Sequence, residues 1–595
     1  MLEYAAPALA QPDPLADLTD AVVRNAREAP NAVVFSRRRD GRWQDVTSSQ
    51  FRDEVVALAK GLIAAGVQPG DPVALLSPTR YEWTLSDYAI WFAGAVTVPI
   101  YETSSAEQVA WILADSGAVA CIVGTPRHAA TVAEVRDQDP ALAHVWIIDD
   151  GDLDRLATEG GEVPDAEIER RRRQLSGDSV ATLIYTSGTT GRPKGCQLTH
   201  GNFADLAANA RAVLPEVLEA PGACTLLFLP LAHVFARFIQ VLCVTVRARL
   251  GHTDDVRNLL PLLAEFRPTF ILAVPRVFEK IYNGAEARAE GAGRGGIFRR
   301  AAQTAIAFSE AADAGGPSLP LRVRHAVFDR LVYAKLRAAT GGRVSCAVSG
   351  GAPLGPRLGH FFRGAGITIY EGWGLTETTA PATVNTPRNI RIGTVGQPLP
   401  GVGVRVAPDG ELLVRGINVM TGYHNNPLAT AQALRDGWFH TGDLGEIDAD
   451  GFVRITGRKK EIIVTAAGKN VAPSVLEDRL RAHPLISQAM VVGDQRPYVA
   501  ALVTLDAEML PTWLSNNGRP SLDVVAAAAD EGVLAEVQRA IDDANSLVSR
   551  AESIRRFRIL EVDLTEAGGH LTPKHSLKRH AVMKDFADQV EALYS

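Results

Sequence analysis

An α/β fold with largely parallel sheets, split into a large N-terminal domain and a small C-terminal domain, is predicted by three features of the sequence. Strand-like and helix-like segments alternate through the first half of the chain, a glycine-rich loop follows directly on a β-branched apolar run, and 595 residues exceed what one hydrophobic core usually supports. With 46% hydrophobic and 22% charged residues, the composition is that of ordinary globular protein. A formal charge of −7 argues against a nucleic-acid partner and leaves small molecules as the expected ligands.

The first residues, Met1-Leu2-Glu3-Tyr4-Ala5-Ala6-Pro7, have no basic region followed by an apolar core, so no signal peptide is read. Residues 72–76 are strand-like and precede a helical pattern over 81–94; residues 97–100 precede another over 105–117, and 119–123 form the next strand. The basic run Arg170 to Arg173 is expected to be a solvated helix face. The apolar stretch 226–246 is broken by Pro230, His233, Arg237 and Gln240, which argues against a membrane-spanning helix. Between 283 and 344 an Ala/Arg/Glu-rich pattern with glycine interruptions predicts helices and a mobile loop laid over the main body. Short strands with turns such as Pro408-Asp409-Gly410 make 393–457 a small β-rich subdomain. The domain boundary is placed after Gly457, giving 1–457 and 458–595. The five cysteines, odd in number and without paired spacing, read as buried apolar residues in a reducing compartment, so a cytoplasmic protein is expected.

The chemistry is concentrated in a few short segments. Val180-Ala181-Thr182-Leu183-Ile184-Tyr185 has the character of a buried strand, and Thr186, Ser187, Gly188, Thr189, Thr190, Gly191 and Lys194 follow it. Glycines there let backbone N–H groups turn inward around an anion, hydroxyls add donors and Lys194 adds charge. The spacing is not that of a Walker loop, so a different class of ATP site is implied. Glu371-Gly372-Trp373-Gly374-Leu375-Thr376-Glu377-Thr378 offers an aromatic plane for adenine, a hydroxyl for the α-phosphate and, in Glu377, the hard oxygen that Mg²⁺ prefers. Asp443, at the end of Gly437-Trp438-Phe439-His440-Thr441-Gly442, is an acid suited to gripping two ribose hydroxyls.

These segments, in this order and over nearly the whole chain, resemble the adenylate-forming superfamily of acyl-CoA synthetases, luciferases and peptide-synthetase adenylation domains. Pro99-Ile100-Tyr101-Glu102-Thr103-Ser104-Ser105-Ala106-Glu107-Gln108 is similar to a segment of its long-chain fatty acyl-CoA synthetase branch, of actinobacterial type. The resemblance implies two parallel-type α/β subdomains plus the β-rich one, with ATP and CoA as co-substrates, Mg²⁺ as cofactor and a long-chain fatty acid as the acid activated. It places Gly350, Gly351 and Ala352 beside adenine, Thr186 as a second contact near the metal and Arg458 at the ribose or phosphates. His233 would line the acid site, and Val274-Pro275-Arg276-Val277-Phe278 would lie near the acyl pocket. Lys460 would be the hinge of the mobile domain, and Gly468 and Lys469 would lie on its CoA-side loop.

One departure from the family pattern stands out. Where long-chain relatives place the adenylation lysine, Leu571-Thr572-Pro573-Lys574-His575-Ser576-Leu577-Lys578-Arg579 has Ser576; Lys578 or Lys574 is expected to serve instead, with Lys578 preferred because Ser576-Leu577-Lys578 mimics a Ser-Gly-Lys of the wider superfamily, and the alternative is that both are surface lysines and adenylation is slow. The alternatives are a ligase passing its adenylate to a carrier protein, a ligase for aryl or medium-chain acids, and a non-catalytic fatty-acid carrier. Chain length, peripheral membrane contact and the choice between monomer and homodimer are left open by the sequence.

Overall fold

The computed structural model describes residues 2–136, 141–186, 192–572 and 576–595 and has a mixed α/β architecture with two bodies of unequal size. At the centre of the larger body is a seven-stranded sheet in the order Gly422–Tyr423, Lys194–Thr199, Val180–Thr186, Val96–Ile100, Pro72–Leu76, Ala120–Val123 and His144–Ile147. The last five run parallel, and the first two each pair antiparallel with the next strand. Helices cover both faces, which is why these strands read as continuous apolar runs; Val73, Ala74 and Leu75 are fully buried. The helix Ala106–Ser116 starts with a reciprocal cap between Ser105 and Gln108 and stops at Gly117 in the left-handed conformation, so its limits were written in its sequence.

A second sheet runs Phe270–Ala273, Cys346–Ser349, Thr368–Trp373 in parallel, then Thr383–Val384 and Gln397–Pro398 antiparallel. The 393–457 region forms the β-rich layer expected, with one addition: Glu3–Ala5 completes its edge by pairing with Val402–Val406. Residues 283–344 are helical, in Pro275–Gly291, Gly295–Asp313, Leu319–Phe328 and Ala334–Ala339, joined by short connections.

The basic run departs from expectation. Arg170 is exposed, but Arg171 and Arg172 are buried because the helix Asp165–Arg172 ends against open backbone carbonyls. Arg171 donates to Val67 O at 2.7 Å and Ala93 O at 2.9 Å, Arg172 donates to the Thr19 hydroxyl at 2.7 Å, and Glu167 and Glu169 balance the charge. The stretch 226–246 folds as a strand end and the helix Val234–Val246 inside the main core. There Arg237 is fully buried on Asp87, Nε to Oδ2 at 3.0 Å, with Gln240 donating to the same carboxylate at 3.0 Å. Among the described residues no helix is long and apolar enough to cross a membrane. All five cysteines are buried.

The smaller body has its own core. Ile486–Val492 pairs antiparallel with Val499–Leu505, which runs parallel to Ile554–Ile559, and helices Pro473–Arg481 and Glu531–Asn545 cover the sheet with Leu476, Leu480, Val537 and Ile541.

Candidate active site

The strand Trp438–Ile447 pairs with Val453–Arg458 in a register that sets Asp443 opposite Arg458. Arg458 Nε lies 3.0 Å from Asp443 Oδ1, and Trp373 Nε1 donates to Asp443 Oδ2 at 2.8 Å. Three residues chosen from three separate motifs therefore meet at one carboxylate. Asp443 is only 4% exposed, and burial pushes its carboxyl above the usual range while Arg458 and the indole N–H pull it back.

Trp373 ends the strand Thr368–Trp373, and the chain then doubles back so tightly that a Cβ on Gly374 would lie 1.6 Å from Ala380 O. Only glycine fits that approach. The turn Thr376–Thr378 follows, with Thr376 buried and Glu377 partly open. Tyr423 donates its hydroxyl to Glu377 Oε1 at 2.9 Å, and Lys194 Nζ sits over the Tyr423 ring, 5.0 Å from its centroid. Lys194 pairs with Thr186 across the two strands that flank the glycine-rich loop. Ser187, Gly188, Thr189, Thr190 and Gly191 lie outside the described residues. Glu377, Tyr423, Lys194 and Thr186 thus form one continuous rim. Among the described residues no cluster of three or more His, Cys, Asp or Glu could cage a metal. The Glu377 carboxylate and the Thr186 hydroxyl instead suit Mg²⁺, which takes many of its ligands from phosphate and water.

Gly350, Gly351 and Ala352 follow the strand Cys346–Ser349, and their loop is tied down where Leu354 N donates to Glu371 Oε1 at 2.9 Å. Glu371 is buried, which raises its carboxyl from 4.5 to about 7. Gly372, next to it, continues the same strand in register with Val384. His233 caps the helix Val234–Val246, its Nδ1 accepting Phe235 N at 3.1 Å, and the Phe235 ring lies 3.4 Å from where a Gly350 Cβ would stand. The acid-site motif is therefore packed against the loop assigned to adenine.

The smaller body docks on the helix Pro275–Gly291. Arg276 donates to Asp506 Oδ2 at 2.9 Å and to Arg481 O at 3.2 Å, and Lys280 Nζ lies 2.9 Å from Glu508. Thr103, just past the strand Val96–Ile100, donates to the Glu566 carboxylate, so the segment leading into 570–578 lies at the edge where the parallel strands end. Within 570–578, Leu571 bridges Leu577, Thr572 N donates to Ser576 O at 2.8 Å, and Lys578 N donates to His570 O at 2.8 Å. Lys574 lies outside the described residues. Lys460 is exposed in the short turn Lys459–Glu461 between the bodies. Gly468, at φ +75°, turns a hairpin at which Lys469 Nζ lies 3.2 Å from Glu552, within the smaller body.

Residues 22–424 match the family described as AMP-binding enzyme, and residues 460–595 match the AMP-binding enzyme C-terminal domain. The chain belongs to the AMP-binding enzyme family. Within it, the chain is 54% identical over 578 residues to the long-chain-fatty-acid--CoA ligase FadD15 of Mycobacterium tuberculosis, covering 96% of each. It is 30% identical to the human long-chain-fatty-acid--CoA ligase ACSBG1, covering 94% of this chain and 83% of the relative. The fold is that of the Mycobacterium tuberculosis fatty acyl CoA synthetase structure, at TM-score 0.62 and 22% identity over 96% of this chain and 99% of that one. One residue that the sequence did not single out joins this AMP-binding enzyme's site: Tyr423 stands in no recognisable spacing and reaches Glu377 and Lys194 through sheet pairing alone. Arg276, from the segment expected near the acyl pocket, is instead drawn to the smaller body.

Proposed function

We propose that the protein is an ATP-dependent ligase that converts long-chain fatty acids to CoA thioesters through an acyl-adenylate. The observation that carries this reading is the 54% identity to a long-chain-fatty-acid--CoA ligase across both bodies. The convergence of Trp373, Asp443 and Arg458 supports it, since a carrier has no use for a nucleotide site. No observation favours a carrier protein as acceptor or an aryl acid as substrate.

In the first step a carboxylate oxygen of the acid bonds to the α-phosphorus of ATP and the bond to pyrophosphate breaks. In the second the CoA thiolate bonds to the acyl carbon and AMP leaves. Catalysis rests on positioning and on charge placed where phosphate charge builds up. Asp443 holds the ribose hydroxyls, Arg458 balances Asp443 and reaches toward the phosphates, and the loop Gly350, Gly351, Ala352 borders the adenine. Trp373 orients Asp443 through its N–H and keeps its ring beside the base. Thr376 donates to the α-phosphate, Lys194 and the loop of Ser187 to Gly191 bind the outer phosphates, and His233 positions the acid. Mg²⁺ held by Glu377 and Thr186 would supply charge neutralisation at the phosphates.

Lys578 is our choice for the adenylation lysine. Leu571 is buried and bridges Leu577, and side chains alternate along such a pair, so Ser576 and Lys578 share the opposite face, away from that core. An ammonium on the same face two residues beyond Ser576 has the reach of its four-carbon stem to replace a lysine there. Lys460 serves as the hinge that carries this segment away after adenylation, and Gly468 and Lys469 then turn toward CoA. The reading is tested by incubating the protein with ATP, Mg²⁺, CoA and palmitate. Stoichiometric AMP, pyrophosphate and palmitoyl-CoA are expected; adenylate that accumulates irrespective of CoA would point to another acceptor, and no pyrophosphate with any fatty acid would sink the proposal.

A further inference from the structure

The helix Leu319–Phe328 and the turns after it contribute nothing to the nucleotide site, yet they present a surface that is built outward. Leu319, Val323, Val327 and Leu331 are spaced by four residues and are between 51% and 72% exposed, which makes one slowly turning apolar stripe. No residue of Leu319–Phe328 is buried. The opposite face fixes the orientation: His325 stacks on Phe308 at 3.9 Å between centroids and hydrogen-bonds Gly364 O at 2.6 Å, and the buried Tyr333 donates to Ala301 O at 2.6 Å.

Charge accompanies the stripe. Arg322, Arg324, Arg330 and Lys335 are exposed beside it. The only acid within residues 317–343, Asp329, is taken by Arg337 at 2.7 Å. In a chain with a formal charge of −7 this is a local reversal of sign. A second copy of the chain is a poor occupant, because a symmetric contact would set these cations against themselves. An apolar stripe flanked by arginines matches an anionic bilayer surface, where side chains such as Leu and Val enter the acyl boundary and guanidinium groups meet the phosphates.

We propose that the face formed by Leu319, Val323, Val327 and Leu331 with its flanking arginines docks the protein on anionic phospholipid membranes. The inference does not depend on which acid the enzyme activates. It is tested by co-sedimentation of the full chain with phosphatidylcholine vesicles, alone or with roughly a third phosphatidylglycerol, at low and high salt. Wild type is expected to bind the anionic vesicles in a salt-sensitive way and the neutral ones weakly. Val323→Asp with Val327→Asp should weaken binding at least about tenfold, and Arg322→Ala, Arg324→Ala and Arg330→Ala should each weaken it about fivefold. Palmitate-dependent AMP formation without vesicles should be unchanged in all of them. The arginine variants, which alter exposed side chains, decide the matter if the aspartate variant fails to fold. Absence of binding by wild type, or binding by the arginine variants equal to wild type, overturns the proposal. So does concentration-dependent dimerisation that the aspartate variant abolishes, which would give the face to a second copy, and so does capture of an acidic protein with vesicle binding absent.

Discussion

Asp443 takes one hydrogen bond from Trp373 and one ion pair from Arg458, so its two oxygens are aimed before any ligand arrives. Trp373→Phe keeps an aromatic ring but removes the donor, which is worth on the order of 1–1.5 kcal/mol. The KM for ATP should rise about tenfold with a smaller effect on kcat; an unchanged KM would mean that the indole N–H does not orient Asp443. Glu371 makes a different prediction. Burial, partly offset by the Leu354 N–H, lifts its carboxyl from 4.5 to about 7. Between those values the folded protein binds a proton that the unfolded chain has released, so stability falls as pH rises through that window. Glu371→Gln keeps the acceptor for Leu354 and removes the titration. Its stability relative to wild type should therefore increase from about pH 5 to about pH 8, by on the order of 3 kcal/mol, and chemical denaturation at the two pH values would show a flat difference if Glu371 does not titrate there. Trp373 and Asp443 stood out in the sequence because each lies in a short chemically distinctive segment, whereas Arg458 was named by the family resemblance alone. Tyr423 was not, because its role comes from the pairing of Gly422–Tyr423 with Lys194–Thr199 and not from its neighbours.

At the scale of elements, close approach decides as much as hydrophobicity. The helix Pro356–Gly364 crosses Gly295–Asp313 so closely that a Cβ on Gly364 would lie 2.1 Å from Ala305 O. The obstacle is backbone, so the helices must part. Gly364→Ala should cost about 1–3 kcal/mol, the usual range for overpacking, seen as a lower urea midpoint at unchanged slope; a wild-type midpoint would show that the crossing yields freely. The parallel strands and the helix Ala106–Ser116 could be read in advance because covered strands are continuously apolar and that helix has a cap at each end. The buried arginines could not. Charge runs are usually solvated, and nothing local to Arg171 shows that Val67 and Ala93 leave carbonyls for it. Glu3–Ala5 was equally hidden, since three residues become a strand only through a partner some four hundred positions away.

At the scale of the molecule, the contacts that join the smaller body to the larger include polar ones: Arg276 with the buried Asp506, Lys280 with the exposed Glu508, and Thr103 with Glu566. Such a surface is compatible with rotation, and Lys460, in the short turn between the bodies, is proposed as the hinge that absorbs it. Lys460→Pro should slow thioester formation from preformed palmitoyl-adenylate about tenfold or more while sparing adenylation; equal loss in both half-reactions would deny the hinge. The long-range order of motifs made the two-body plan readable, whereas the docking contacts join residues far apart in sequence and carry no pattern. Adenylation of the long-chain acid is proposed to use a lysine displaced from the expected position. Its most direct test is palmitate-dependent pyrophosphate release by wild type, Lys578→Ala and Lys574→Ala, each with preformed palmitoyl-adenylate and CoA as a control for the second step. Lys578→Ala is expected to lose adenylation by about a hundredfold or more and to keep thioester formation, with Lys574→Ala near wild type. Full adenylation by Lys578→Ala would contradict the proposal.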